Sequence, residues 1–267
     1  MQPDQSDRLI CLHIPKTAGV SFRKLLERQY VGVPTFLRGA PHFLELLAMS
    51  RAQREPYRVV GGHFRFGLHL LFDSPSRYIT FVRDPVERVI SNFAYVRWQS
   101  GHPWHARVLA AGLSLEQWVR LGRAGAADNI QVRWLALRSD DEVPFGETTR
   151  QMLDDAKRVL SERIEFLGIT ERYEESIRWI GEKLHWTAPV TVDRLNVSPN
   201  RIAAADMPSS TRDAILEHNA LDMELYSFAL DLFARRTAPP DLPQPQGLPA
   251  RPTGPLEAIA RSQERSA

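Results

Sequence analysis

Across 267 residues the chain carries 34 basic and 32 acidic side chains, for a net charge of +2, with 43% hydrophobic and 25% charged residues. That balance belongs to a soluble globular protein long enough for a full core; it gives no global polyanion-binding character, and nucleic acid is not an expected partner. Cys11 is the single cysteine, which excludes an intrachain disulfide and a thiolate metal cluster. No uncharged apolar run approaches the ~18 residues of a membrane span, so a cytoplasmic protein without a transmembrane segment is expected.

In chain order, the apolar run at 9–14 reads as a buried strand, with Cys11 as a small core residue and His13 inside the strand. Phe22, Leu25 and Leu26 recur at helical spacing and predict a helix over 19–30. A helix over 41–54 leads to the strand-like Tyr57-Arg58-Val59-Val60, which ends at Gly61-Gly62-His63. Tyr78-Ile79-Thr80-Phe81-Val82 is a third strand, ending at Arg83. The pattern over 92–137 is helical, interrupted at 100–103 and 122–125. A helix over 148–161 precedes a fourth buried strand at 164–169. Helices over 173–184 and 209–235 follow, separated by a polar loop at 193–208. The alternation predicts an α/β fold, a P-loop-like parallel sheet flanked by helices in a single domain over 1–236. From residue 237 the composition turns Pro-rich, and 237–267 is expected to be a disordered tail.

In open parallel sheets ligands bind at the carboxyl ends of the strands. Three predicted strands end in residues able to do chemistry: Lys16, His63 and Arg83. The first lies in His13-Ile14-Pro15-Lys16-Thr17-Ala18-Gly19-Val20-Ser21-Phe22, a strand–loop–helix junction that offers a cation and free backbone N–H groups to a phosphate. No glycine precedes Lys16 in the loop, so the nucleoside triphosphate pattern G-x-x-x-x-G-K-[ST] is absent. The third opens Arg83-Asp84-Pro85, in which Asp84 is a natural N-cap and Pro85 a natural first helical residue. Ser91 lies about two turns on, facing roughly as the cap does. A guanidinium and a hydroxyl so placed could hold one phosphate between them; a structural ion pair and an incidental helix serine are the competing reading.

These two segments resemble the signatures of the sulfotransferases that use 3′-phosphoadenosine-5′-phosphosulfate (PAPS), in the branch of bacterial-type enzymes and the heparan sulfate 2-O- and 6-O-sulfotransferases. Weaker similarities lie at Gly62-His63-Phe64 with Gly67, at His102-Pro103, at Asn129 with Gln131 and Arg133, at Thr170-Glu171-Arg172, and from Asn196 to Arg201. Val20 departs from the pattern, since relatives often carry a small hydroxyl residue there. The resemblance implies the sulfotransferase fold and in-line transfer of a sulfuryl group to a hydroxyl of a glycan or glycolipid, without a metal. By it, Lys16, Thr17, Ala18, Gly19, Val20, Ser21 and Phe22 bind the 5′-phosphosulfate, and Lys16 neutralises the leaving phosphate. Arg83 and Ser91 take the 3′-phosphate, with Ser198 and Arg201 as late cofactor contacts. His63, after a strand and beside two glycines, is the expected general base.

Among the other histidines, His69 is expected to be partly buried, His102 and His105 to line an acceptor site or cap a helix turn, and His13 to be core. Arg65, Arg97, Arg133 and Arg138, with Trp98, Trp104 and Trp134, are candidates for the acceptor cleft; core tryptophans and solvated arginines are the alternative. A P-loop kinase-like phosphotransferase and a non-catalytic nucleotide-binding protein, with the Pro-rich tail as its partner segment, stay open beside the transferase reading.

Overall fold

The computed structural model describes residues 7–38, 43–122, 127–136, 143–190 and 202–238. The first strand, β1 (Arg8–Leu12), is buried along its whole length. Its side chains alternate between two cores: Ile10 and Leu12 pack on one face of the sheet, Leu9 and Cys11 on the other. A strand covered on both faces reads as a continuous apolar run for this reason. Burial also pushes the Cys11 thiol up to about 12, in keeping with a small core residue.

The remaining elements follow in order as α1 (Gly19–Gln29), β2 (Thr35–Leu37), α2 (Phe43–Ala48), α3 (Arg51–Arg54), β3 (Val59–Gly62), β4 (Ser76–Val82), α4 (Pro85–Trp98), α5 (His105–Ala110), α6 (Leu115–Arg120), α7 (Ile130–Leu135), α8 (Arg150–Glu162), β5 (Ile164–Ile169), α9 (Tyr173–Lys183), α10 (Ser209–His218) and α11 (Ala220–Thr237). The strands form one five-stranded sheet in the order β2-β3-β1-β4-β5, and every pairing is parallel. Side chains of α7, α8 and α11 join the core on one face, and those of α1 and α9 the core on the other. A third cluster binds α4, α5, α6 and α10 into a helical layer beside the sheet. Among the described residues no helix is long and apolar enough to cross a membrane.

The α/β architecture is the one expected, with three local corrections. The sequence predicts four strands; β2 is the fifth, an edge strand of three residues and too short to display a period. The helix predicted over 41–54 is two, because Ser50 caps α3 with a reciprocal Ser50–Gln53 capping box. The helix predicted over 209–235 breaks at Asn219, whose side chain donates to the carbonyls of Ala127 and Ile215 and accepts from the Asn129 amide.

Candidate active site

β3, β1 and β4 are neighbours in the sheet, so the residues after them emerge side by side. In register, Leu12 stands opposite both Gly62 and Thr80. Neighbouring strands lie about 4.8 Å apart, so β3 and β4 flank β1 at that spacing on its two sides. The chain leaves β1 for one side of the sheet and returns to the other with β4, which makes this a topological switch point.

The loop after β1 is shaped by its backbone. Lys16 and Ala18 adopt left-handed conformations, with φ of 70° and 65°, each costing on the order of 1 kcal/mol or more in a residue that has a Cβ. The Thr17 hydroxyl is buried and donates to the Ile14 carbonyl at 2.8 Å, closing the turn. Ala18 ends the loop as the N-cap of α1, with no side-chain cap and no acidic residue in the first turn. The first intrahelical amide is that of Phe22, bonded to the Ala18 carbonyl at 3.1 Å. The N–H groups of Gly19, Val20 and Ser21 therefore lack helical acceptors, and they form the positive end of the helix. Phe22 itself is not part of that lining: its amide is engaged and its ring is fully buried in the core against Phe81.

Arg83 follows β4 and is held from several directions. Its backbone N–H donates to Gln131 Oε1 and its carbonyl accepts from Gln131 Nε2, both at 2.9 Å, as if the amide side chain were another strand. Its Nη1 donates to the Lys16 carbonyl at 3.0 Å. Two carboxylates face the guanidinium more loosely, Glu87 at 3.5 Å and Glu171 at 3.6 Å. Burial lowers the Arg83 pKa, an effect opposed by Glu171 and Asp84. Asp84 caps α4 by accepting from the Glu87 amide at 2.9 Å, with Pro85 as the first helical residue.

Glu87, Ser91 and Tyr95 stand four residues apart on α4 and form one row on its surface. Glu87 meets Arg83, and the ring of Tyr95 meets Lys16, whose Nζ lies 4.0 Å from the ring centroid. Ser91, between them, is thereby turned toward the same loop. Tyr95 was not singled out in the sequence, although its spacing from Ser91 is the signal that could have found it.

His63 comes directly after β3, and its ring stacks on that of His13 with centroids 4.4 Å apart and planes at 29°. Burial, helped by the Lys16 charge, lowers the His63 pKa to about 4, while a hydrogen bond to the His13 backbone pulls the other way. With its pKa lowered this far, the His63 ring is neutral at ordinary pH and one of its two nitrogens is an acceptor. His13 is not a core residue inside the strand. It lies past the end of β1, half-buried, where burial first and then the charges around it hold it well below the usual histidine range. A Cβ on Gly19 would come within 1.9 Å of the His13 ring, so only glycine lets α1 start this close.

The acceptor-side candidates separate. Arg133 is buried, paired with Asp128 and donating to Thr148 and to the carbonyls of Val143 and Pro144, so it braces the fold and lines no cleft. Trp134 is buried too, but its ring stands nearly perpendicular to His63 at 5.8 Å, with the Arg65 guanidinium 5.9 Å from its own centroid. Trp104 packs against Trp118, while Arg97 and Trp98 reach the surface at the end of α4. His102 accepts at Nδ1 from the Trp104 amide, His105 Nδ1 lies 3.0 Å from the Val96 carbonyl, and His69 pairs with Tyr78 away from the strand ends. Ser198, Arg201 and Arg138 lie outside the described residues, as does 239–267. Among the described residues no group of three or more histidine, cysteine, aspartate or glutamate side chains is placed to hold a metal ion.

A family model described as "Sulfotransferase family" matches residues 2–229. The chain is 26% identical over 281 residues to heparan-sulfate 6-O-sulfotransferase 2 of Gallus gallus, covering 86% of this chain and 68% of that protein. It is 25% identical over 281 residues to heparan-sulfate 6-O-sulfotransferase 1 of Homo sapiens, covering 86% and 66%. Heparan-sulfate 6-O-sulfotransferase 2 of Danio rerio is 31% identical over 195 residues, which cover 61% of this chain and 40% of that protein.

Proposed function

The chain belongs to the sulfotransferase family, and from that premise we propose that it transfers the sulfuryl group of PAPS to a hydroxyl of a carbohydrate or glycolipid by in-line displacement. The observation that carries the reading is the contact of Arg83 Nη1 with the Lys16 carbonyl, which ties two cationic strand ends into one anion-binding wall. A donor with phosphate groups on both the 3′ and the 5′ oxygens of its ribose suits that wall. The uncapped N-terminus of α1 suits one phosphate, and Arg83 with Ser91 suits the other.

When bound, PAPS supplies the sulfuryl group and a phosphate leaving group. The amides of Gly19, Val20 and Ser21 and the ammonium of Lys16 neutralise charge at the 5′ end as it develops there. Arg83 exchanges its loose contacts with Glu87 and Glu171 for the 3′-phosphate. Neutral His63 accepts the proton of the attacking hydroxyl. The half-buried position of Lys16 and His63 limits water at the reacting centre.

Incubation with 35S-labelled PAPS and a panel of glycans, heparan-type oligosaccharides included, is expected to yield labelled product. Lys16→Ala and His63→Ala should each lower the rate at least ~100-fold. Unchanged labelling in both variants would rule the assignment out. Thermal stabilisation by adenosine 3′,5′-bisphosphate supports the donor, whereas stabilisation by ATP with magnesium alone would favour a kinase-like phosphotransferase.

A further inference from the structure

Among the described residues, the groups given around the ammonium of Lys16 offer it no negative charge. Arg83 faces it from the end of β4, and its charge lowers the pKa of His63, His13 and His102 around it. Among the described residues it is met by the face of Tyr95 rather than by a carboxylate. The negative face of an aromatic ring attracts a cation, and more strongly where water is excluded. That ring is itself held, since His102 stands perpendicular to it at 5.9 Å and is fixed in turn through its Nδ1 contact with the Trp104 amide. Tyr95 is also the next residue after Ser91 in the row on α4. The contact thus draws the lysine toward the side of the cleft where Arg83 and Ser91 are turned.

We propose that Tyr95 is a positioning residue for Lys16, holding its ammonium by a cation–π contact on the α4 side of the cleft. Arg83 fixes the Lys16 backbone through its carbonyl, and Tyr95 fixes the end of the side chain. The catalytic cation then has a defined position before the donor arrives instead of sampling the cleft. The functional part of this inference rests on the sulfotransferase reading of Lys16, whereas the contact itself can be tested without it. Burial and then the Arg83 charge lower the Lys16 pKa to about 8, and the ring face is a contact that favours its charged form.

The chain has four lysines, Lys16, Lys24, Lys157 and Lys183, so reductive methylation with 13C-formaldehyde gives a spectrum in which each can be assigned by a Lys→Arg variant. The Lys16 methyl signal is expected upfield of Lys24 and Lys183, because it lies over the ring. Lys157, 5.9 Å from the Phe228 ring centroid, should shift less. Tyr95→Phe keeps the ring and should keep both the shift and the transfer rate; Tyr95→Leu should lose the shift. Tyr95→Leu should also lower kcat about tenfold and move the alkaline limb of the rate profile to lower pH. An unshifted Lys16 signal in the unmutated protein overturns the proposal, and so does a Tyr95→Leu variant as active as Tyr95→Phe. Failure of adenosine 3′,5′-bisphosphate to bind the unmutated protein would instead overturn the donor assignment, with the methyl shift still reporting on Tyr95.

Discussion

At the scale of single residues, His63 and Lys16 are displaced in the same direction by the same cause. Burial lowers His63 to about 4 and Lys16 to about 8. Their required forms then overlap over a wide interval: the imidazole is neutral above the first value, and the ammonium is charged below the second. A plot of kcat/KM against pH is expected to rise through about 4, run flat, and fall through about 8. Lys16→Arg would keep the cation to higher pH and move the falling limb alkaline, even if the guanidinium supports a lower rate. A profile that keeps rising above pH 9 would argue against a charged Lys16 in the rate-limiting step. The placement of His63, Lys16, Arg83 and Ser91 was legible in the sequence because each sits at a strand end or at helical spacing from one. His13 was not, because the apolar run hides where β1 stops, and Leu12 rather than Ile14 is its last residue. Tyr95 was hidden because its significance depends on where the Lys16 side chain goes.

At the scale of elements, the position of Arg83 depends on α7. The short helix starts at Ile130 after Asn129, whose φ is 45°. Its N-terminus is capped from another helix, with the Asp222 carboxylate on α11 accepting from the amides of Gln131 at 3.2 Å and Val132 at 2.8 Å. Gln131 is thereby aimed at the end of β4, where its side chain satisfies both backbone groups of Arg83. Gln131→Leu would leave that N–H and C=O without their partner, at a cost of about 1–3 kcal/mol. It should also weaken adenosine 3′,5′-bisphosphate binding about tenfold by loosening the guanidinium, which calorimetry would measure. Undiminished affinity would mean that Arg83 is placed by its side-chain contacts alone. The sequence marks Gln131 only as a weak resemblance, and its partner is 48 residues away. A long-range pairing between a side chain and a strand end leaves no local period to read. β2 was missed for a related reason: its three residues are held by pairing with β3, not by a pattern of their own.

At the scale of the whole molecule, the histidines make stability depend on acid. His13, His63, His69 and His102 are all held below the ordinary histidine value, each chiefly by burial. The unfolded chain therefore binds more protons than the folded one as pH drops below about 6.5, and the linkage slope is positive: stability is complete above that value and is lost on acidification toward about 4. For His63 alone the shift corresponds to roughly 3 kcal/mol at the acid end. His69 lies against Tyr78, away from the strand ends, so the loss is not confined to the active site. Thermal melts between pH 7.5 and 5 should give a falling Tm, and His63→Asn should flatten that slope without abolishing it. A Tm that stayed level over this interval would mean that the imidazoles gain partners on protonation, as buried His–carboxylate pairs do. Among the described residues the contacts given for His13 and His63 include no carboxylate: they are each other, Trp134, Lys16 and Arg23. Burial is thus the main source of the acid sensitivity, and the charges of Lys16 and Arg23 add to it at His13 and His63.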